Sequence, residues 1–249
     1  MKTYLISGAG SGIGRSTAVL LAAQGHRIYL LGRNSERLEQ TFHLLPKNDH
    51  QVLIADIRNR EELLNAFQLL HGTTLDGIVA ASGKGGWNTW GEDDQWDDII
   101  NTNLTGTYNF INTFYPALKG SGQSHKNIII ISSALARIGF SNYQALSASK
   151  AGLLGLMRCW ASQWAKDKVS VNAILPGWVN TQMASNDVGS FAAAYNISKE
   201  DALRNVLQHV PLGRMAEPEE ISEFVSHLLN QSIITGAVID MNGGLVMPG

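Results

Sequence analysis

The sequence has few of the features that mark disulfide-linked, zinc-binding or nucleic-acid-binding proteins. Cys159 is the single cysteine among 249 residues, so a disulfide within the chain is excluded and a reducing, cytoplasmic setting is predicted. The seven histidines show no metal-ligand spacing, and no metal site is predicted. Lysine and arginine number 19 against 21 acidic residues, and their scatter along the chain presents no basic face to nucleic acid.

Long apolar runs are also missing. None approaches the length needed to cross a bilayer, and the N-terminal MKTYLISGAG reaches a glycine after a handful of apolar residues. We therefore expect neither a membrane contact nor export. The length suits one domain, 1–249, and Cys159 is expected to be buried in the apolar-periodic stretch LLGLMRCWASQW.

Short apolar runs alternate with segments that have helical periodicity. Seven such runs occur, and six are followed by a stretch that can hold a helix: TYLIS, RIYLLG, QVLIAD, GIVAAS, NIIIIS, VSVNAIL and GAVIDM. Continuous apolar strands separated by helices predict an α/β fold with a doubly wound, parallel, seven-stranded sheet. Ligands of such sheets bind beyond the carboxyl ends of the strands. The least regular segment, about 180–211, is predicted to form a lid over the site.

A glycine-rich loop follows the first predicted strand. Gly8, Gly12 and Gly14 let the backbone turn tightly and approach a pyrophosphate, which then meets the N-terminus of a helix beginning near Ile13. The strand, the loop and the helix form the βαβ context that the dinucleotide motif requires. A dinucleotide cofactor is predicted here.

The residues after the second strand bear on which dinucleotide binds. NAD sites place an acid there for the ribose 2′-hydroxyl, whereas this chain has Arg33 and Asn34, with Arg15 following the glycine loop. Cationic and hydrogen-bonding groups at this point suit the 2′-phosphate of NADP(H). We therefore predict NADP(H) rather than NAD(H).

Motifs along the whole chain resemble those of the short-chain dehydrogenase/reductase family. They occur in the family's order and spacing: GAGSGIG, ADIRN, INTNLTGTY, IIISSA, SASKAGL, VNAILPGWVNTQM and GRMAEPEEIS. The resemblance implies a Rossmann fold and a catalytic group that includes Asn103, Ser133 and Lys150. It also implies that Asp56 holds the adenine, and that the backbone of PGWV and the Thr181 hydroxyl hold the nicotinamide end. The full predicted cofactor set is Gly8, Ser11, Gly12, Ile13, Gly14, Arg15, Arg33, Asn34, Asp56, Ile57, Ala81, Ser82, Gly83, Lys150, Pro176, Gly177, Val179 and Thr181.

Two motifs depart from the family pattern. The usual Asn-Asn-Ala-Gly after the fourth strand reads Ala80, Ala81, Ser82, Gly83, and its small residues still allow close backbone approach to the nicotinamide ribose. The usual catalytic tyrosine of Tyr-x-x-x-Lys is Leu146. Carbonyl reduction leaves negative charge on oxygen, which needs a hydrogen bond and then a proton. Leu146 can provide neither.

Tyr143 is the nearest substitute for the missing phenol. It precedes Lys150 by seven positions, which on a helix would bring both side chains to one face about 10 Å apart. This spacing resembles that of enoyl-thioester reductases in the same superfamily. Tyr143 is therefore a fourth predicted catalytic residue, and the alternative is an aromatic residue that only packs.

Three functions stay open. The first is an NADP(H)-dependent reductase of a ketone or 3-oxoacyl thioester, in which Asn103, Ser133 and Lys150 are helped by water or Tyr143. The second is an enoyl-thioester reductase that uses Tyr143 and Lys150. The third is an NADP(H)-binding protein with little turnover.

The substrate and the assembly can be outlined from aromatic residues. A small apolar substrate is expected, because the mouth of the pocket is predicted to hold Trp87, Trp90, Trp178 and Met183. A homo-oligomer, a tetramer or a dimer, is predicted because the helices bearing Asn103 and Lys150 resemble the family's subunit-joining pair. Those helices would otherwise expose aromatic surface.

Overall fold

The fold is a parallel sheet with helices on both faces, seen in a computed structural model that describes residues 1–247. The strand order is β3-β2-β1-β4-β5-β6-β7, and every pairing is parallel. The strands are β1 Thr3–Ser7, β2 Arg27–Gly32, β3 Gln51–Ile54, β4 Gly77–Ala80, β5 Lys126–Ile131, β6 Val169–Pro176 and β7 Val238–Met241. The predicted seven-stranded doubly wound sheet is thus confirmed; residues 248 and 249 of the predicted domain lie outside the described part.

Nine α-helices are described between and after these strands. They are α1 Gly12–Ala23, α2 Ser35–Phe42, α3 Arg60–Gln68, α4 Trp96–Ile100, α5 Thr107–Lys119, α6 Gln144–Trp164, α7 Gln182–Tyr195, α8 Lys199–Leu207 and α9 Pro218–Leu229. A stretch of π-helix, Asn101–Gly106, joins α4 to α5 and carries Asn103. No helix within residues 1–247 is long and apolar enough to cross a membrane.

Alternate residues of each strand enter two separate cores. In β5, Ile128 and Ile130 pack with α3, α5 and α6, while Ile129 and Ile131 pack with α1, α2 and α9. Because side chains alternate between the faces of a strand, both faces of the sheet are covered. This arrangement explains why the strands read as continuous apolar runs.

Two sequence-based expectations about surface and regularity are wrong. Cys159 is exposed, because it faces away from the sheet on α6. Trp160 and Trp164 on the same helix are instead buried within the subunit, where they stack on each other and on Tyr108 and Tyr115. The segment predicted to be least regular instead forms the two helices α7 and α8.

Candidate active site

A cavity of about 920 Å³ opens at the carboxyl edge of the sheet. It lies where the strand order reverses, because β1 pairs with β4 on one side and β2 on the other. Most predicted site residues line it: Gly8, Ser11, Gly12, Ile13, Ala81, Ser82, Gly83, Ser133, Tyr143, Lys150, Pro176, Gly177, Val179 and Thr181. The remaining predicted residues are not part of its wall: Gly14, Arg15, Arg33, Asn34, Asp56, Ile57 and Asn103.

The glycine loop has a conformation that demands glycine. Gly8 and Gly12 have φ values of 69° and 51°, and a methyl group on Gly8 would lie 2.8 Å from the Ala81 carbonyl carbon. A methyl group on Gly14 would lie 2.3 Å from the Gly8 carbonyl oxygen, so helix α1 packs directly on the loop. Ser11 precedes α1 without capping it through its side chain. The first-turn amides of α1 are thus left for a ligand, as an anion site requires.

The two arginines predicted to bind the 2′-phosphate differ in their surroundings. Arg15 donates from Nε to Thr41 Oγ1 at 3.0 Å and from Nη2 to the Gly10 carbonyl at 2.5 Å, which ties the glycine loop to α2. Arg33 is exposed, and its Nη1 lies 3.8 Å from Asp56 Oδ2. The Asn34 side chain accepts from the Arg37 amide at 2.8 Å and so caps α2.

Asp56 is already engaged by a neighbouring cation. Arg58 donates to both its carboxylate oxygens, and this pairing, opposed by partial burial, lowers the Asp56 pKa. Arg58 also pairs with Asp98, which in turn pairs with Lys84. This network joins the loops after β3 and β4 to α4 beside the cavity. The predicted role of Asp56 in holding adenine stays a prediction.

Lys150 is buried at the floor of the cavity. Its Nζ donates to the Ile131 carbonyl at 2.9 Å, and burial lowers its pKa to about 8. The Ser132 hydroxyl donates to the Lys150 carbonyl at 2.9 Å and holds α6 against the end of β5. Because burial leaves the Lys150 ammonium group poorly solvated, contact with oxygen atoms of a ligand would stabilise its charge.

Asn103 positions the loop after β4 rather than facing the cavity. Its Oδ1 accepts from the Lys84 amide at 2.7 Å, while its Nδ2 donates to the Lys84 carbonyl at 3.0 Å and to Ser149 Oγ at 3.1 Å. A methyl group on Gly83 would lie 3.5 Å from both Asn103 Oδ1 and Lys150 Nζ. The amide thus holds Gly83 beside Lys150.

Two hydroxyl groups in the cavity accept hydrogen bonds from the protein. Ser133 Oγ accepts from the Leu135 amide at 3.1 Å. Tyr143 Oη accepts from Trp87 Nε1 at 2.8 Å. Each hydroxyl therefore keeps its own proton for a bond to a ligand oxygen.

The helical argument for Tyr143 is wrong. Tyr143 precedes α6 with φ −118° and ψ 31°, outside helical values, so the spacing of 100° per residue does not relate it to Lys150. Burial, reinforced by the charge of Asp187, raises the pKa of Tyr143 to about 12. Both side chains nevertheless line the same cavity.

Leu146 lines the cavity one helical turn before Lys150 and is buried among apolar side chains. It packs with Ile99 and Ala145, against which Ile100, Leu135 and Tyr143 also lie. The position at which the motif predicts a phenol is thus occupied by hydrocarbon that forms part of a small core.

Helices α7 and α8 form one wall of the cavity, and several of its residues were not predicted from the sequence. Asp187, Phe191 and Tyr195 were missed, although their spacing of four from Met183 was a readable signal for one helical face. Trp87, Trp178 and Met183 line the cavity as predicted, but Trp90 does not, because it is fully exposed. Burial raises the pKa of Asp187 to about 6.

Comparisons with known proteins agree with this architecture. The family model described as Enoyl-(Acyl carrier protein) reductase matches residues 8–246. Carbonyl reductase family member 4 of Danio rerio is 31% identical, with 98% of each chain covered. The 3-oxoacyl-[acyl-carrier-protein] reductase FabG of Thermotoga maritima is 30% identical over 99% of this chain and 98% of its own.

A solved structure has the same fold as this chain. Actinorhodin polyketide ketoreductase, crystallised as a variant with NADPH, superposes with a TM-score of 0.90. It is 27% identical, and the match covers 98% of this chain and 97% of that one. With its motifs in place along one parallel sheet, the chain is a member of the short-chain dehydrogenase/reductase family.

Proposed function

We propose that the protein is an NADP(H)-dependent reductase of ketones or 3-oxoacyl thioesters. The observation that carries the proposal is the single cavity in which the glycine loop, Ser133, Tyr143 and Lys150 meet. The relatives named above, a carbonyl reductase and a 3-oxoacyl reductase, support a carbonyl substrate. The apolar and aromatic wall suits a ring or an acyl chain.

The residues present fit a dinucleotide. The uncapped first turn of α1 suits the pyrophosphate, and Thr181 lies across the loop, where a methyl group on Gly12 would be 3.1 Å from its Cγ2. Lys150 Nζ, which lines the same cavity, would bind ribose hydroxyl groups. When bound, the reduced nicotinamide supplies the hydride.

The chain's own residues would hold the substrate oxygen. Ser133 and Tyr143 each have a hydroxyl proton to donate, and both donations strengthen as negative charge develops on the oxygen. Because the pKa of Tyr143 is about 12, its phenol stays protonated and acts as a hydrogen-bond donor rather than as a strong acid. The proton that completes the alcohol then comes from water.

A turnover screen tests the proposal. Oxidation of NADPH is followed with a β-keto thioester, a trans-2-enoyl thioester and simple ketones, and we expect turnover of a carbonyl compound. The enoyl function is the second candidate, because the matching family model carries that description. Turnover of the enoyl thioester alone would favour it, and no turnover with NADPH bound would favour the non-catalytic alternative.

Cofactor preference depends on Arg33 in this proposal. The Arg33→Asp variant should bind NADPH at least tenfold more weakly than the unmodified protein, because a carboxylate would repel the 2′-phosphate while suiting the 2′-hydroxyl of NADH. Titration of both cofactors against both proteins measures the change. Equal dissociation constants for NADPH and NADH in the unmodified protein would contradict the assignment.

We also propose that the protein is a homo-oligomer, a tetramer or a dimer. Helices α5 and α6 resemble the family's subunit-joining pair, and Tyr108 of α5 is exposed. Light scattering at micromolar concentration should give a multiple of the 27.0 kDa subunit mass. A monomer mass would refute this.

A further inference from the structure

Asp187 is the only carboxylate on the cavity wall, as far as residues 1–247 show. It lies on α7, and no donor or cation of the described chain pairs with its side chain. Burial alone accounts for the rise of its pKa to about 6. A carboxylate held in this way is destabilised until a ligand supplies a partner.

Aromatic side chains line the same cavity wall as this carboxylate. Met183, Asp187, Phe191 and Tyr195 succeed each other at intervals of four along α7, so they share one face, and all four line the cavity. The rings of Phe191 and Tyr195 are 4.5 Å apart, and Trp87 lies 6.4 Å from Phe191.

The ring of Trp87 continues this wall to Tyr143. Their centroids are 6.1 Å apart at 67°, and the Trp87 indole is fixed by its hydrogen bond to Tyr143 Oη. The charge of Asp187 reaches Tyr143, where it helps to raise the phenol pKa. One negative charge thus shares the cavity with several aromatic rings.

We propose that Asp187, with the rings of Trp87, Tyr143 and Phe191, binds the cationic ammonium group of an amino ketone substrate. This inference rests on the proposed reductase function, and it names the substrate class of the same cavity. An ammonium ion gives the carboxylate its missing partner, and the π faces attract the same charge. An anionic substrate would meet repulsion here.

The distance between Asp187 and Lys150 suits a small molecule. Gly83 adjoins Lys150 Nζ, whereas a methyl group on Gly85 would lie 3.1 Å from Asp187 Oδ2. Two residues of chain span at most roughly 7 Å. The amine and the ketone should therefore be separated by a few bonds, about the length of one ring.

The other titratable side chains around the cavity do not neutralise Asp187. They are Tyr143, Lys150, Tyr195 and His209, and neither Lys150 nor His209 forms an ion pair with it. Lys150 instead donates to the Ile131 carbonyl. A permanently charged ligand should bind less tightly as the pH falls below about 6, because Asp187 then becomes neutral.

A matched pair of ketones tests the proposal. 4-Acetyl-N,N,N-trimethylanilinium carries a permanent positive charge, and 4′-tert-butylacetophenone is its neutral isostere. The ratio of kcat/KM for the cation over the isostere is measured in the unmodified protein and in Asp187→Asn. We expect the ratio to fall about tenfold or more in Asp187→Asn, mainly through the KM of the cation.

A control variant distinguishes the effect of the Asp187 charge in the cavity from the effect of removing any one negative charge from the protein. Glu200→Gln removes an exposed acid of α8 outside the cavity and should leave the ratio unchanged. An unchanged ratio in Asp187→Asn overturns the proposal, including the case in which both ketones slow equally because Asp187 transfers a proton.

Binding measurements keep this test separate from the reductase proposal. If neither ketone turns over, quenching of tryptophan fluorescence gives the dissociation constants of the same two compounds. Tighter binding of the cation, lost in Asp187→Asn, would support the cation site even though the reductase function had failed. Equal binding of the two compounds by the unmodified protein would overturn it.

Discussion

Replacing Leu146 by tyrosine is expected to raise the kcat of ketone reduction by about 10²–10³. Leu146 lines the cavity on the same helix as Lys150 and one turn before it. A phenol there would lie near a buried cation, which favours loss of its proton and makes it the acid that the present site lacks. Stopped-flow or steady-state oxidation of NADPH measures the gain.

The Leu146→Phe variant is the matched control for this change. It adds the same ring to the small core of Ile99 and Ala145 but no hydroxyl, and overpacking of this kind costs about 1–3 kcal/mol in the free energy of unfolding. A tyrosine variant no faster than the phenylalanine variant would mean that proton delivery does not limit the rate. The absence of a phenol at position 146 would then not be what limits turnover.

Replacing Tyr143 by phenylalanine should lower kcat by about 10²–10³, because only the donor to the substrate oxygen is removed. The ring keeps its contacts with Trp87, although the Trp87 indole loses its hydrogen-bond acceptor. Since the pKa of Tyr143 is about 12, the phenol holds its proton throughout the working range. The loss should therefore be the same at about pH 6 and about pH 9.

Trp87→Phe is the control for the indole's lost partner. It removes the donor to Tyr143 Oη and keeps a ring beside Phe191, so a packing effect alone should appear in both variants to a similar degree. Full turnover by Tyr143→Phe on the best substrate would show that Tyr143 only packs. A loss that varied strongly with pH would indicate that the phenol transfers the proton itself.

Local sequence signals were sufficient to predict the sheet and the glycine loop. The strand β1 was predicted as Thr3–Ser7 and β2 as Arg27–Gly32, with the same bounds as in the structure. Burial on both faces of a parallel sheet requires continuous apolar runs, and such runs are visible without tertiary information. Gly8 and Gly12 were equally readable, because a left-handed backbone conformation favours glycine.

The positions of single side chains depended on contacts between distant segments. The spacing from Lys150 predicted that Tyr143 lies on the helix, but Tyr143 precedes α6. Its hydroxyl accepts a hydrogen bond from Trp87, which lies 56 residues earlier in the chain. Trp164 is buried because Tyr115 of α5 stacks on it, with 4.0 Å between the ring centroids. Neither partner can be found from the local pattern.

The sequence by itself determined the fold, the glycine loop and the presence of Leu146 four positions before Lys150, since each depends on residue type within a short segment. Only the tertiary structure decided the chemistry of the cavity wall. It brought Asp187 of α7 toward Gly85 and raised its pKa, because burial by distant helices, and not residue type, sets the solvation of a carboxylate. The same packing directs the Arg15 guanidinium to Gly10 and Thr41 and leaves Arg33 exposed beside Asp56.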